Sequence, residues 1–390
     1  MSFDSTRWLH GACPGTPADR AAMRGACVTI GNYDGLHRGH LEILRRMGAA
    51  AEGRPLVLVG FNPTPREFFA GDAAMRLTRW RDRASVLDAL RAERICVDAV
   101  WLQRFDSAMA HMRPEDFIYR LVAAIAPTEV WVGDDFRFGR DRSGDAALLE
   151  RSGAAAGFVV RRTPTVVDEC GRISSTRVRD ALERADFDSA AALLGRRYAL
   201  HGRVAHGERR GRTIGFPTLN VRLGSVPMVL RGVYAGEVRF CDAPSMSHPA
   251  IANIGVRPTV DGREQRLEAH VLGGSMSASD LVVAKGGATV EGVAGNQAEG
   301  FVAGRGDAGD RNVGDRRGFD DNAVAGGSMD SGGQMAFDAY GRRLAFVPVA
   351  KIRNEQRFDG LAALRAQIGR DVAAAHALWA GGDRFRDDPG

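Results

Sequence analysis

The sequence predicts two modules: an α/β half built on a parallel sheet, then a small antiparallel β-barrel or sandwich with a terminal helix. Three observations predict this. From residue 25 to about 185, short apolar runs alternate with helical periods. Beyond about 198 the pattern becomes short β-like segments parted by Gly, Pro and Asp turns. A length of 390 residues, at about 150 residues per domain, suits two or three domains.

In the first half, residues 26–30, 55–61, 95–102 and 129–132 are near-continuous apolar runs, the signature of strands buried on both faces. Residues 40–51, 82–91, 114–124 and 146–153 carry helical periods between them. A single helical stretch over 175–194 closes the half. In the second half, 198–205, 232–240, 249–254, 266–272 and 343–349 read as strands, and 360–379 as a helix ending on Gly381-Gly382. Residues 273–334 fit neither half. They hold 16 of the 48 glycines, no proline, and the tetrapeptide GGSM at 273–276 and again at 326–329. That composition predicts a flexible insert. Lengthening a turn from about 4 to about 65 residues costs only roughly 2.5 kcal/mol of closure entropy.

Composition excludes several classes. An apolar fraction of 44% rules out whole-chain disorder. No run approaches 18 apolar residues and none follows a basic N-terminus, so neither a membrane span nor a secretory signal is expected. Cys13, Cys27, Cys96, Cys170 and Cys241 form no CxxC pair, which suits a reduced, cytoplasmic setting. The net charge of +5 comes from arginines spread along the chain, with Lys285 and Lys351 the only lysines. Nucleic acid is therefore not the expected partner, whereas guanidinium forks suit small phosphorylated ligands. The sequence leaves the oligomeric state open.

Some motifs fail on context. Residues 304–309, GRGDAG, match GxGxxG but lie inside the Gly-rich insert with no helix-forming run behind them. Neither lysine follows a glycine as a Walker loop requires.

The strongest signal is CVTIGNYDGLHRGHLEIL, residues 27–44. A strand runs through Gly31 and Gly35 into a helix opened by His37-Arg38-Gly39-His40. Backbone N–H groups at such a helix start favour an anion, and two histidines three apart share a face from which to donate to phosphate oxygens. Gly39 keeps the backbone open to close approach. Surface histidines at a cap are the bland alternative; a metal site on His37 and His40 lacks a third ligand nearby. A second piece is ISSTRVR, residues 173–179, where hydroxyls either cap a helix or receive a polyphosphate, with Arg177 or Arg179 offering charge. Between them lies VGDDFRFGRDRSGD, 132–145, whose Asp135 and Arg137 are placed to meet base, ribose or magnesium.

GNYDGLHRGH, VGDDFRFGRDRSGD and ISSTRVR together resemble the adenylyltransferase module of bacterial bifunctional riboflavin kinase/FAD synthetases. The partner module is matched by HGERRGRTIGFPTLN (206–220), GVYAGEV (232–238), ANIGVRPT (252–259), LEAHVL (267–272) and KIRNEQRFDGLAALRAQI (351–368). The resemblance implies a Rossmann-like nucleotidyltransferase domain over 1–186 and a riboflavin kinase β-barrel over 187–380, interrupted at 273–334. It implies that riboflavin, ATP and Mg²⁺ give FMN, and that FMN and ATP give FAD and pyrophosphate. It assigns Glu268 as the base for the riboflavin hydroxyl, and His37 and His40 to charge developing on phosphate. ATP would be held by Gly31, Asn32, Asp34, Gly39, Ser174, Ser175, Thr176, Arg177 and Arg179, and in the kinase by Gly207, Arg212 and Gly215. Asp135, Arg137 and Asn62 would meet flavin or nucleotide, and Thr218 and Asn220 would hold Mg²⁺.

The chain departs from the family pattern at Phe61-Asn62-Pro63-Thr64-Pro65, where an acidic residue is usual at the second position and His or Gln at the fourth. It departs again at Pro217-Thr218-Leu219-Asn220, where Leu219 replaces alanine. The insert follows the Glu268 strand. If that turn faces the flavin, the insert obstructs the kinase and leaves an FMN adenylyltransferase; if it points away, both activities stand.

Overall fold

The computed structural model describes residues 6–71, 75–205, 215–224, 227–259, 262–272 and 339–380. The insert expected at 273–334 lies outside them, as do Gly207 and Arg212.

The first half runs β1 (Arg7–His10), α1 (Pro17–Met23), β2 (Cys27–Ile30), α2 (Arg38–Ala50), β3 (Leu56–Phe61), α3 (Pro65–Ala70), α4 (Trp80–Ala89), β4 (Ala99–Gln103), α5 (Ser107–Ala110), α6 (Pro114–Ile125) and β5 (Glu129–Gly133). It continues through β6 (Arg137–Phe138), β7 (Gly144–Asp145), α7 (Ala146–Ala156), β8 (Val159–Thr163), β9 (Val167–Asp168), β10 (Gly171–Arg172), α8 (Ser175–Glu183) and α9 (Phe187–Leu194). Six parallel strands lie in the order β1-β4-β3-β2-β5-β8. Alternate residues feed opposite faces, as the period of two requires. Val57, Val59, Ala99 and Trp101 pack with Phe117 and Leu121 of α6, while Leu56, Leu58, Val100 and Leu102 pack with Leu44 of α2 and Leu87 of α4. Helices thus cover both faces, and the four central strands are the four apolar runs of the sequence.

The edge strands β1 and β8 were not expected. VVRRT of β8 is exposed at most positions, because an edge strand with one open flank needs no continuous apolar run. The helix expected over 175–194 is two helices. Ala185 turns to φ 56°, and the Asp186 carboxylate caps α9 by accepting the Ser189 N–H at 3.0 Å. Ile95 and Val97 are buried but precede β4, so core burial there does not mean strand.

The second half is a closed antiparallel barrel, which settles the sequence's choice between barrel and sandwich. Its strands are β11 (Leu200–Ala205), β12 (Leu219–Gly224), β13 (Gly232–Phe240), β14 (Ala243–Thr259), β15 (Gly262–Val271) and β16 (Arg343–Arg353), in the order β11-β12-β15-β14-β13-β16 with β16 also pairing β11. Val221, Ile254, Leu267, Ala269 and Leu344 are at most 1% exposed and fill it. The outward Val233, Ala235 and Ile251 are covered by Val372, Ala375 and Trp379 of α10 (Leu361–Ala380).

The halves meet along the chain before α4. Arg76 N donates to Pro227 O at 2.8 Å, the Tyr198 hydroxyl to Leu77 O at 2.6 Å, and Arg79 to the carbonyls of His201 and Arg222. A cavity of about 330 Å³ lies in this seam, lined by Asp82, Val86, Tyr198, His201 and Phe240. None of the expected site residues lines it.

Candidate active sites

The first site is the turn between β2 and α2. It stands at the carboxyl end of the sheet between β2 and β5, where strand order reverses and open α/β sheets bind ligands. Tyr33, Gly35 and Leu36 take φ of 51°, 86° and 44°. Two of them carry Cβ atoms, so the surroundings must over-determine the turn. Asp34 does most of this. Its carboxylate accepts from Leu77 N (3.2 Å), Thr78 N (3.0 Å), Arg83 (3.1 Å) and Arg179 (3.2 Å). Arg83, whose side chain is fully buried, also donates to Asn32 O at 2.9 Å, and Ser175 Oγ donates to Asp34 O at 2.7 Å.

His37 is the N-cap of α2 in extended backbone, yet its side chain makes no capping bond. The amides of Arg38 and Gly39 and the helix dipole therefore remain for an anion, while His40 N donates to His37 O at 2.8 Å. The His37 and His40 rings stack 3.7 Å apart at 19°, and Nδ1 of each is buried without a hydrogen-bond partner. Burial, then the charge of Arg172, pulls His37 down to about 4; burial, then His37 and Arg83, pushes His40 well below the usual range. Both imidazoles are neutral at pH 7, each offering one donor and one acceptor. A Cβ at Gly39 would lie 3.2 Å from the His37 ring, so glycine makes room for the stack.

Several of the expected site residues have partners within the protein. Arg177 forks onto Asp168 at 2.8 and 2.9 Å and onto the carbonyls of Gly171 and Arg172. Arg179, 4% exposed, is committed to Asp34 and to Met75 O at 3.0 Å. Asp34 anchors both Arg83 and Arg179. Ser174 caps α8 by accepting Arg177 N at 3.3 Å, Thr176 is exposed, and Gly31 N closes the strand end on Val59 O. Asp135 pairs with Arg172 at 2.5 Å, while Arg137 is exposed and donates to Phe136 O. Sequence reasoning missed Arg172, whose charge bears on both histidines.

It also missed an aromatic cluster. Asn62, in a cis peptide with Pro63, is exposed at the end of β3, its Oδ1 accepting from Arg76 at 3.3 Å. Beyond it Phe68 and Phe69 are 38% and 71% exposed, and both rings meet Phe105 edge-on. Phe61 meets Phe105 in the same way, so the cluster joins the core to the surface. Two adjacent phenylalanines on the short helix α3 were the available signal.

The second site lies on the barrel's outer face. Asn220 on β12 pairs in register with Glu268 on β15, and Glu268 with Asn253 on β14. Opposed residues of an antiparallel sheet share a face, so the three form one row outside the barrel while Leu267 and Ala269 turn inward. Asn220 Nδ2 donates to Thr218 O at 3.2 Å and Thr218 Oγ1 at 3.4 Å, which turns its Oδ1 away from Thr218. His270 Nδ1 lies 2.8 Å from Pro217 O and its ring meets Phe216, seating Gly215–Asn220 against β15. Asn253, missed at first, is found only through strand register.

Comparison with known proteins finds a family model for each half of the chain. The FAD synthetase family model matches residues 19–177, and the riboflavin kinase model matches 194–284 and 328–379. The bifunctional riboflavin kinase/FMN adenylyltransferase of Escherichia coli K12 is 38% identical over 366 residues, covering 92% of this chain and 95% of that protein. The chain belongs to this family. The Pseudomonas fluorescens relative is 37% identical over 92% of this chain and 94% of its own length. A crystal structure of a macrolide-efflux protein from Streptococcus pneumoniae superposes with TM-score 0.57 at 25% identity, covering 93% of this chain and 95% of that one. No helix among the described residues is long and apolar enough to cross a membrane.

Proposed function

We propose that the enzyme's two activities are divided between these sites: adenylyl transfer at the His37–His40 turn, phosphoryl transfer at the Asn220–Glu268 row. The observation that carries the first half is the uncapped start of α2 with two neutral imidazoles beside it, the Nδ1 of each buried without a partner. An FMN phosphate oxygen attacks the α-phosphorus of ATP, forming the new P–O–P bond as the α–β bridge breaks and pyrophosphate leaves. No protein nucleophile is required. Helix amides and imidazole N–H groups stabilise the charge that grows on the phosphoryl oxygens. The Phe68–Phe69–Phe105 cluster offers the flavin ring an aromatic face, and Asn62 stands at its edge.

In the barrel, Glu268 takes the proton of the riboflavin 5′-hydroxyl as that oxygen attacks the γ-phosphorus and ADP departs. A Mg²⁺ accompanying ATP would be held by the hydroxyl of Thr218 and, once the Asn220 amide turns over, by its Oδ1, since Nδ2 is the atom that meets Thr218 in this structure. These hard oxygens suit such an ion. Bound there it would neutralise phosphate charge. Among the described residues no cluster of three His, Cys, Asp or Glu competes for a metal. All five cysteines are free, which fits a cytoplasmic enzyme.

The test is a chromatographic assay fed riboflavin in one tube and FMN in another. His37→Ala should abolish FAD formation and spare FMN formation, and Glu268→Gln should do the reverse. Parallel loss of both activities in either folded variant would contradict the division.

A further inference from the structure

Arg196 lies between α9 and β11, within the riboflavin kinase match and beyond the end of the FAD synthetase match at 177. Its guanidinium nevertheless reaches the adenylyl-transfer turn. Nη2 donates to Gly35 O at 2.6 Å and Nη1 to Leu36 O at 2.8 Å, with a third bond to Leu194 O at 3.2 Å. We propose that Arg196 is a positioning residue for FAD formation, holding these two carbonyls so that the Leu36–His37 peptide presents its N–H, not its oxygen, to the ATP phosphates.

The other carbonyls of the turn each have a donor of their own. Asn32 O is met by Arg83 at 2.9 Å, Tyr33 O by Leu36 N at 3.2 Å, and Asp34 O by Ser175 Oγ at 2.7 Å. Gly35 O and Leu36 O depend on Arg196. In a trans peptide N–H and C=O point opposite ways, so an Leu36 oxygen drawn to Arg196 sends the His37 N–H the other way. Among the described residues no protein acceptor meets that N–H. Without the guanidinium, two carbonyls in a turn with positive φ at Gly35 and Leu36 lose their donor. The 36–37 peptide is then free to rotate, and its oxygen would oppose an incoming anion. A planar fork serves two adjacent carbonyls at once, which a lysine ammonium matches poorly. Burial lowers Arg196 to about 10, which leaves it cationic at pH 7.

The inference rests on the assignment of adenylyl transfer to this turn, and His37→Ala tests that assignment separately. In full-length protein, Arg196→Met should lower kcat for FAD formation from FMN at least tenfold, with KM for FMN and the rate of FMN formation from riboflavin within twofold. Arg196→Lys should fall between. Tyr198→Phe removes the neighbouring bond to Leu77 O without touching the turn and should show no such split. Unchanged FAD formation in R196M, equal loss of both activities, or the same split in Y198F would each overturn the proposal. If R196M does not accumulate folded, R196K is read alone, and an unchanged FAD rate overturns it. If H37A itself retains FAD formation, the assignment of the site has failed, independently of Arg196.

Discussion

At the scale of single residues, the site depends on buried charge arranged around Asp34. Replacing it by Asn strands Arg83 and Arg179, whose side chains are 0% and 5% exposed. Removing one member of such a buried set costs about 3–5 kcal/mol. Asp34→Asn should therefore lose roughly that much in chemical denaturation and lose FAD formation with it; a change below about 1 kcal/mol would refute the anchoring role. His37 makes a pH prediction. It is held neutral to about 4 in the fold, while an unfolded histidine titrates near 6.5. Below pH 6.5 the unfolded state gains the proton first, so stability falls as pH drops toward 4, by about 1.4 kcal/mol per unit for this residue. Between pH 7 and 5, His37→Asn should lose about 2 kcal/mol less than the parent. Equal losses would mean that His37 is not held neutral.

At the scale of elements, packing decided what periodicity had left open. The four central strands were legible because both their faces are buried; β1 and β8 were not, because edge strands are selected by one flank only. The break between α8 and α9 escaped notice because the apolar period runs on through 175–194, while Asp186 and the positive φ of Ala185 impose the stop. The contact of α4 with β3 makes a prediction of its own. A Cβ on Gly60 would lie 2.4 Å from the Trp80 ring. Gly60→Ala should thus destabilise by about 1–3 kcal/mol, read as a lower urea midpoint at unchanged m. An unshifted midpoint would show that α4 yields freely.

At the scale of the whole molecule, the barrel closes through β11, β13 and β16 with the described residues alone, and the riboflavin kinase match resumes on the far side of 285–327. Deleting 285–327 should leave FMN formation within twofold, whereas a large rise would reveal an obstructing insert. The sequence by itself determined the two modules, their order and the family, and it singled out His37, His40, Thr218, Asn220 and Glu268 as candidates for the sites. Apolar patterning reports burial, and spaced short motifs report a backbone shape held by local chemistry. Only the tertiary structure decided where charge is spent. Arg177 and Arg179 read as phosphate ligands in the chain, but each is committed to a carboxylate from another segment, Asp168 or Asp34. Asn253 joins the Asn220–Glu268 row through strand register, and Arg196 reaches the turn of the other module. An arginine looks the same in a sequence whether it is free or paired, because its partner is set by distances in space and not along the chain.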